Sequence, residues 1–230
     1  LTVVATTTQI CDYVTQIAAH SSEISLDKTD AAGKSSHVGA APEGAALTMS
    51  LTCLLAPNAS AHEHEMTPAQ TSALAQADVM AVSGVDLEHF LDDAVVSSGF
   101  KGRMVVTSGV LTAADVDNPG APDPDGAYTI DRGNQRVDVA PWPFPPEEAG
   151  EEPEFRFDPH VWTSPKGARV QVANLGAGLA AAAPDAASSI NAATASYMEA
   201  IDALDEWTAE AITTVPEGQR VLFTSHDAFG

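Results

Sequence analysis

Seven histidines are spread over 230 residues, and three places among them could present an imidazole for chemistry. The first is the pair His62 and His64 in Ala61-His62-Glu63-His64-Glu65. The second is His160 in Asp158-Pro159-His160-Val161-Trp162, and the third is His226 in Thr224-Ser225-His226-Asp227. Each adjoins the C-terminal end of a predicted strand or precedes a capped helix, and that edge of an open α/β sheet is where ligands bind. Three imidazoles from distant segments suit a borderline-soft divalent ion such as zinc, which takes His nitrogen at about 2.0 to 2.1 Å. Asp158, two residues before His160, could orient that ring as a hydrogen-bonded carboxylate. The remaining histidines suggest less. His20 ends a predicted helix, where a cation complements the dipole, His37 lies in a solvated stretch, and His89 falls inside a predicted helix beside Glu88.

The elements that must position these residues follow from periodicity. Residues 1 to 107 alternate short β-rich runs with helical segments, the pattern of βαβ units around a parallel sheet. Strands are expected at Leu1 to Thr7, Leu47 to Leu55, Val79 to Val82 and Met104 to Thr107. Helices are expected from Gln9 to Ala19, from Thr67-Pro68 to about Ala77, and from Leu87 to Val96. Ser21 to Ala46 and Asp115 to Glu154 read as surface insertions. The second carries eight prolines and the acidic run Glu147, Glu148, Glu151, Glu152 and Glu154, so it cannot be a regular helix or a central strand, and it reads as a long, partly mobile loop. Ser164-Pro165 opens another helix to about Ala183. From Pro184 to about Thr214 an apolar stripe through Ile190, Ala193, Tyr197, Ile201 and Leu204 defines a helix long enough to cross between lobes. Arg220 to Thr224 reads as a fresh strand.

Composition narrows the function classes. With 32 Asp and Glu against 10 Lys and Arg the formal charge is −22, which excludes a nucleic-acid binder driven by phosphate neutralisation. No run reaches the roughly 20 apolar residues of a membrane-spanning helix. The two cysteines, Cys11 and Cys53, allow one disulfide, compatible with a protein working outside the cytoplasm. A zinc hydrolase would need a general base beside the metal in a pattern such as HExxH; none occurs, and only proximity in sequence recommends Glu63 and Glu65.

The segment Leu54 to Pro68 resembles the first metal motif of the zinc and manganese solute-binding proteins of ABC transporters, usually a Pro-rich turn followed by Pro-His-x-Tyr-Glu-Pro-Thr-Pro. Asp158-Pro159-His160-Val161-Trp162 is similar to the second motif almost letter for letter, and Ser225-His226-Asp227-Ala228-Phe229-Gly230 to the third. Ala61, His64 and Met66 depart from the usual Pro, Tyr and Pro. The resemblance implies metal ligands at His62, His160 and His226. Register favours His62, with His64 open as a substitute or additional ligand. It implies an α/β fold of two lobes joined by a rigid helix, with the metal in the cleft between them. An N-terminal lobe would span residues 1–163 with insertions at 21–46 and 115–154, a helical segment 164–215, and the start of a second, incomplete lobe 216–230. The fourth ligand, an Asp or Glu, would come from that second lobe beyond Gly230. The implied cargo is Zn2+, with Mn2+ the alternative, since manganese-selective relatives often carry Glu where His226 stands. The implied partner is the membrane permease of a metal importer. The expected setting is extracytoplasmic, with an export signal removed and anchoring through a removed or absent N-terminal segment. A metal-stabilised surface adhesin is the rival reading.

Overall fold

Along strand β1 (Thr2–Ala5), Val3 and Ala5 turn to one side of the sheet and Val4 to the other, and all three are buried, so both faces must be covered. The molecule is a computed structural model that describes residues 1–120, 122–123, 126–146, 153–224 and 228. Seven strands form one sheet in the order β3-β2-β4-β1-β5-β6-β7. The others are β2 (Ile24–Thr29), β3 (Ser35–Gly39), β4 (Leu47–Cys53), β5 (Val79–Val82), β6 (Arg103–Val106) and β7 (Thr129–Asp131). All pairings are parallel except β2 with β3. The central strand β5 is buried at every position, as a strand covered on both faces must be.

Helices α1 (Thr8–Ala19), α5 (Pro165–Ala182) and α6 (Ala187–Thr213) cover one face through Val14, Ile17, Val172, Leu175 and Ile190. Helices α2 (Pro68–Ala75) and α3 (Leu91–Ser98) cover the other through Leu74 and Ala94. A short α4 (Ala113–Asp117) follows β6. Each fully buried Leu, Val or Ile contributes about 1.5 to 3 kcal/mol of burial free energy. Helix α5 lies close because a Cβ at Gly176 would collide with Thr194 and one at Gly178 with Val105. Gln171 and Asn174 then fasten it to the C-terminal sheet edge, donating to the Thr107 hydroxyl at 3.1 Å and the Thr107 carbonyl at 2.9 Å.

The chain crosses from one side of β1 to the other between β4 and β5, and the crevice above that reversal is where ligands bind in such sheets. The loops after β1, β4 and β5 all emerge there.

Several expectations are corrected. Ser21 to Ala46 is not a surface insertion, because β2 pairs with β4 and buries Ile24 and Leu26; only its hairpin partner β3 forms an exposed edge. The third helix begins at Leu91 rather than Leu87, since Gly84, Val85 and Asp86 all have positive φ and hold the chain outside helical conformation. Arg220 to Thr224 is not a strand: after a short 3-10 turn it runs without a paired neighbour among the described residues, with Phe223 exposed. The Pro-rich stretch carries the edge strand β7 and a bridge between Pro141 and Phe157, and Arg132 and Arg156 tie it to Asp115 and Asp117. Its acidic residues Glu147, Glu148, Glu151 and Glu152 lie outside the described residues. The apolar stripe of α6 is buried only as far as Ile201; Leu204, Trp207 and Ile212 are exposed.

Cys11 of α1 and Cys53 of β4 are disulfide-bonded across 42 residues. Chain entropy values a loop of that length at about 4 kcal/mol, so reducing the intact protein should lower its unfolding free energy by about that much in urea titrations. An unchanged urea midpoint would contradict this.

In the hairpin, His37 Nδ1 lies 3.0 Å from the Asp27 carboxylate and Nε2 2.9 Å from the Ala40 carbonyl, so only the doubly protonated ring can donate to both. The Asp27 hydrogen bond, then that to Ala40, raises the His37 pKa above its ordinary 6.5. A raised folded-state value gives stability that is fully present below the ordinary range and lost as pH rises through the raised value. His37→Gln should therefore destabilise the protein more at about pH 5.5 than at about pH 9. Equal losses at both, in paired urea melts, would refute the assignment.

Candidate metal centre

The loop after β4 is built to fold back over the sheet edge. Gln70 of α2 donates from Nε2 to the Leu54 carbonyl at 2.7 Å and completes a capping box with Thr67, which fixes where the loop ends. Asn58 takes a left-handed conformation that asparagine tolerates, and the Ser60 hydroxyl accepts from the His62 backbone N–H at 3.2 Å. His62 emerges half-buried over a cavity of about 390 Å³.

His160 borders the same cavity and is 3% exposed. Asp158 Oδ1 accepts from its backbone N–H at 2.9 Å and meets its Nδ1 at 2.8 Å. A carboxylate can only accept, so Nδ1 carries the proton and Nε2 is the nitrogen with a lone pair to offer. Directly after it a 3-10 turn (Val161–Thr163) leads into α5, with the Thr163 hydroxyl donating to the His160 carbonyl at 2.8 Å. The close seat of that turn on α5 requires Gly167, whose Cβ would strike the Val161 carbonyl.

The ring centroids of His62 and His160 lie 5.5 Å apart, with planes at 76°. Two imidazoles bound to one tetrahedral zinc through bonds of about 2.0 to 2.1 Å would have centroids about 5 Å apart. The spacing therefore fits a shared ion. Phe155, 5.1 Å from His62 and 6.3 Å from His160, and Trp142 and Trp162, 6.0 and 5.3 Å from His160, form an aromatic wall behind the pair. Among the described residues no three His, Cys, Asp or Glu side chains are drawn together as a metal-holding group. His226 lies outside the described residues, while Ala228, two positions later, lines the cavity with His62 and His160.

His64 is turned elsewhere. It packs edge-on against Phe90 with centroids 5.1 Å apart, and burial holds its pKa below the usual imidazole value. Glu63 and Glu65 are exposed. His20 and His37 meet Ser196 and Asp27, away from the cavity.

One residue passed over in the sequence lies close by. His89 is exposed, with its ring 6.1 Å from His62 and 5.6 Å from Phe155. It stands there because β5 is followed by three left-handed residues, Gly84, Val85 and Asp86, with φ of 90°, 58° and 55°. For non-glycine residues such a conformation costs about 1 to 3 kcal/mol each. Buried Glu88 holds the turn, accepting from the Thr6 hydroxyl at 2.6 Å and from the backbone N–H of Ser83 and Gly84 at 2.7 and 3.0 Å. Burial raises the Glu88 pKa against the pull of these donors. The signal available in the sequence was position: His89 follows the end of a central strand, as His62 does.

Residues 43–230 match the family model described as zinc-uptake complex component A, periplasmic. The manganese-binding lipoprotein MntA of Bacillus subtilis is 27% identical over 179 residues, which cover 78% of this chain and 48% of that protein. The iron-binding protein YfeA of Yersinia pestis is 26% identical over 173 residues, covering 75% and 45%. Among solved structures, the periplasmic zinc-binding protein TroA of Treponema pallidum superposes with a TM-score of 0.60 at 20% identity, covering 100% of this chain and 61% of that one. Zn(II)-bound AdcA of Streptococcus pneumoniae gives 0.58 at 18%, covering 93% and 33%. The chain thus spans about half the length of the curated relatives it matches. The α/β fold is the one these structures share, and because the family model runs through most of its length, the chain belongs to the zinc-uptake complex component A (ZnuA) family.

Proposed function

We propose that this chain captures a divalent transition metal outside the cytoplasm and passes it to the membrane permease of an ABC importer. The ion is held by Nε2 of His160 together with His62 and His226. The observation that carries this reading is the His62–His160 pair, spaced for one shared ion and with the tautomer of His160 set by Asp158. Zinc is favoured over manganese, because a site built from imidazoles suits zinc better than an ion that prefers carboxylate and water oxygen. The relatives include manganese-, iron- and zinc-binding proteins, so the ion is decided by measurement. The disulfide, and relatives described as lipoproteins or periplasmic proteins, support the extracytoplasmic setting and a membrane anchor. A carrier is favoured over a hydrolase because Glu63 and Glu65, the acids nearest in sequence, are exposed.

The direct test is metal analysis of the purified chain followed by competitive titration with zinc, manganese and iron; a chain that binds none of them would overturn the reading. His160→Ala should reduce zinc affinity by more than about a hundredfold, beyond the usual effect of losing an outer-shell partner. His64→Ala, by contrast, should leave it within about threefold, since that ring is packed on Phe90. Calorimetry giving equal losses for the two would remove the assignment of ligands.

Asp158→Asn tests the orienting bond. An amide in place of the carboxylate removes its negative charge and can turn a donor towards Nδ1, so zinc affinity should fall by about 10- to 100-fold while the fold is kept. Unaltered affinity would show that Asp158 has no part in binding.

A further inference from the structure

We propose that His89 is an outer metal-binding residue, which with His62 forms a two-imidazole landing position from which the ion moves inward to His62 and His160. This rests on the metal-capture reading above and adds to it a residue and an entry route.

Five observations converge on the ring. Its centroid is 6.1 Å from that of His62, only slightly beyond the 5.5 Å that separates His62 from His160. A small rotation of an exposed side chain closes a gap of this size towards the roughly 5 Å that one tetrahedral zinc imposes on two imidazoles. Phe155 lies against both rings, at 5.1 Å from His62 and 5.6 Å from His89, so the two share an apolar wall. His89 makes no hydrogen bond to any described residue, so its nitrogens are available to a ligand.

The fourth observation is a second cavity, of about 270 Å³, bordered by His89 together with Asp86 and Asp92. The carboxylates need not coordinate anything. Their charge raises the local concentration of hydrated cations beside the first imidazole, and His62 on the other side borders the larger cavity shared with His160. His89 thus stands between an acidic antechamber and the inner pair.

Finally, its position is built. A run of left-handed residues including a β-branched valine persists only where the surroundings impose it. Here Val85 and Asp86 donate to the Val110 and Leu111 carbonyls at 2.8 and 3.1 Å, and Glu88 clamps the turn from beneath. The turn delays the start of α3 to Leu91 and leaves His89 facing His62 instead of continuing a helix.

A landing residue lowers the barrier in both directions, so it alters rates more than equilibrium. Stopped-flow association of zinc, followed by Trp emission, and dissociation into excess chelator should be compared for the intact chain and His89→Ala. Both rate constants should fall about tenfold in the variant, because the first imidazole on the path is lost while the Asp86 and Asp92 charges remain, with Kd within about threefold. Thermal melting should match the intact chain, since His89 is exposed; if it does not, His89→Gln carries the same comparison. An unchanged association rate, or a loss confined to dissociation and Kd, would overturn the proposal and leave metal capture standing. Failure of the unaltered chain to bind zinc, manganese or iron would overturn both.

Discussion

Asp158 accepts two hydrogen bonds from one residue, and the chemistry of the cleft depends on that double contact. A buried imidazole with no partner on Nδ1 could place its proton on either nitrogen and rotate about its Cβ bond. The carboxylate removes both freedoms, because it can only accept and because the backbone N–H of the same residue holds it in register. Everything else near the sheet edge can be understood as support for that geometry. The 3-10 turn after His160 ends its segment without slack, Gly167 lets the turn sit on the first turn of α5, and Gln171 and Asn174 fasten α5 to Thr107. The ring is thereby referred to the sheet itself. Helix α5 is in turn held by α6 at Gly176, so the position of His160 is coupled to packing a full helix away.

The opposite wall of the cleft is built by different physics. The β4 loop holds His62 through turn chemistry, an Asn in left-handed conformation and a Ser hydroxyl, with its far end fixed by the Thr67 and Gln70 capping box. The β5 loop is held by a buried carboxylate that takes up three donors at once. These donors satisfy the buried carboxyl group and tie the turn to the ends of β1 and β5, which holds two strained non-glycine residues in place.

How much of this was legible in the sequence follows the same division. Central strands such as Val79 to Val82 announce themselves because burial on both faces requires an unbroken apolar run. The capped helices at Pro68 and Pro165 were legible from Ser or Thr followed by Pro. Strand β2 was not, because Ile24 and Leu26 are its only large apolar anchors and Ser25, Asp27, Lys28 and Thr29 between and after them look like loop residues. The true start of α3 was hidden for a related reason: nothing in Val85-Asp86 advertises positive φ, which here accompanies hydrogen bonds to the Val110 and Leu111 carbonyls, distant in sequence. The ambiguity between His62 and His64 could not be resolved by alternation, since the loop turns between them. What separates the two is a tertiary contact, the edge-on packing of His64 on Phe90, which supports the proposed assignment to His62. His89 was passed over because it reads as lying inside a helix beside Glu88, whereas the helix begins only at Leu91.

The placement of negative charge bears on which ion the cleft suits. The described rings beside the cavity are imidazoles and aromatics, and an ion carrying two positive charges would need compensation in so apolar a setting. In the proposed site Asp158 would supply it one hydrogen bond removed from the cavity. Because its Oδ1 is committed to both N–H groups of His160, the carboxylate polarises the imidazole and makes it a better donor without itself offering that oxygen to the ion. A hard cation that prefers oxygen gains little from such an arrangement, whereas a borderline ion bound through nitrogen gains the full benefit of the added basicity. The proposed preference for zinc is therefore a statement about where the carboxylate sits as much as about how many histidines surround the ion.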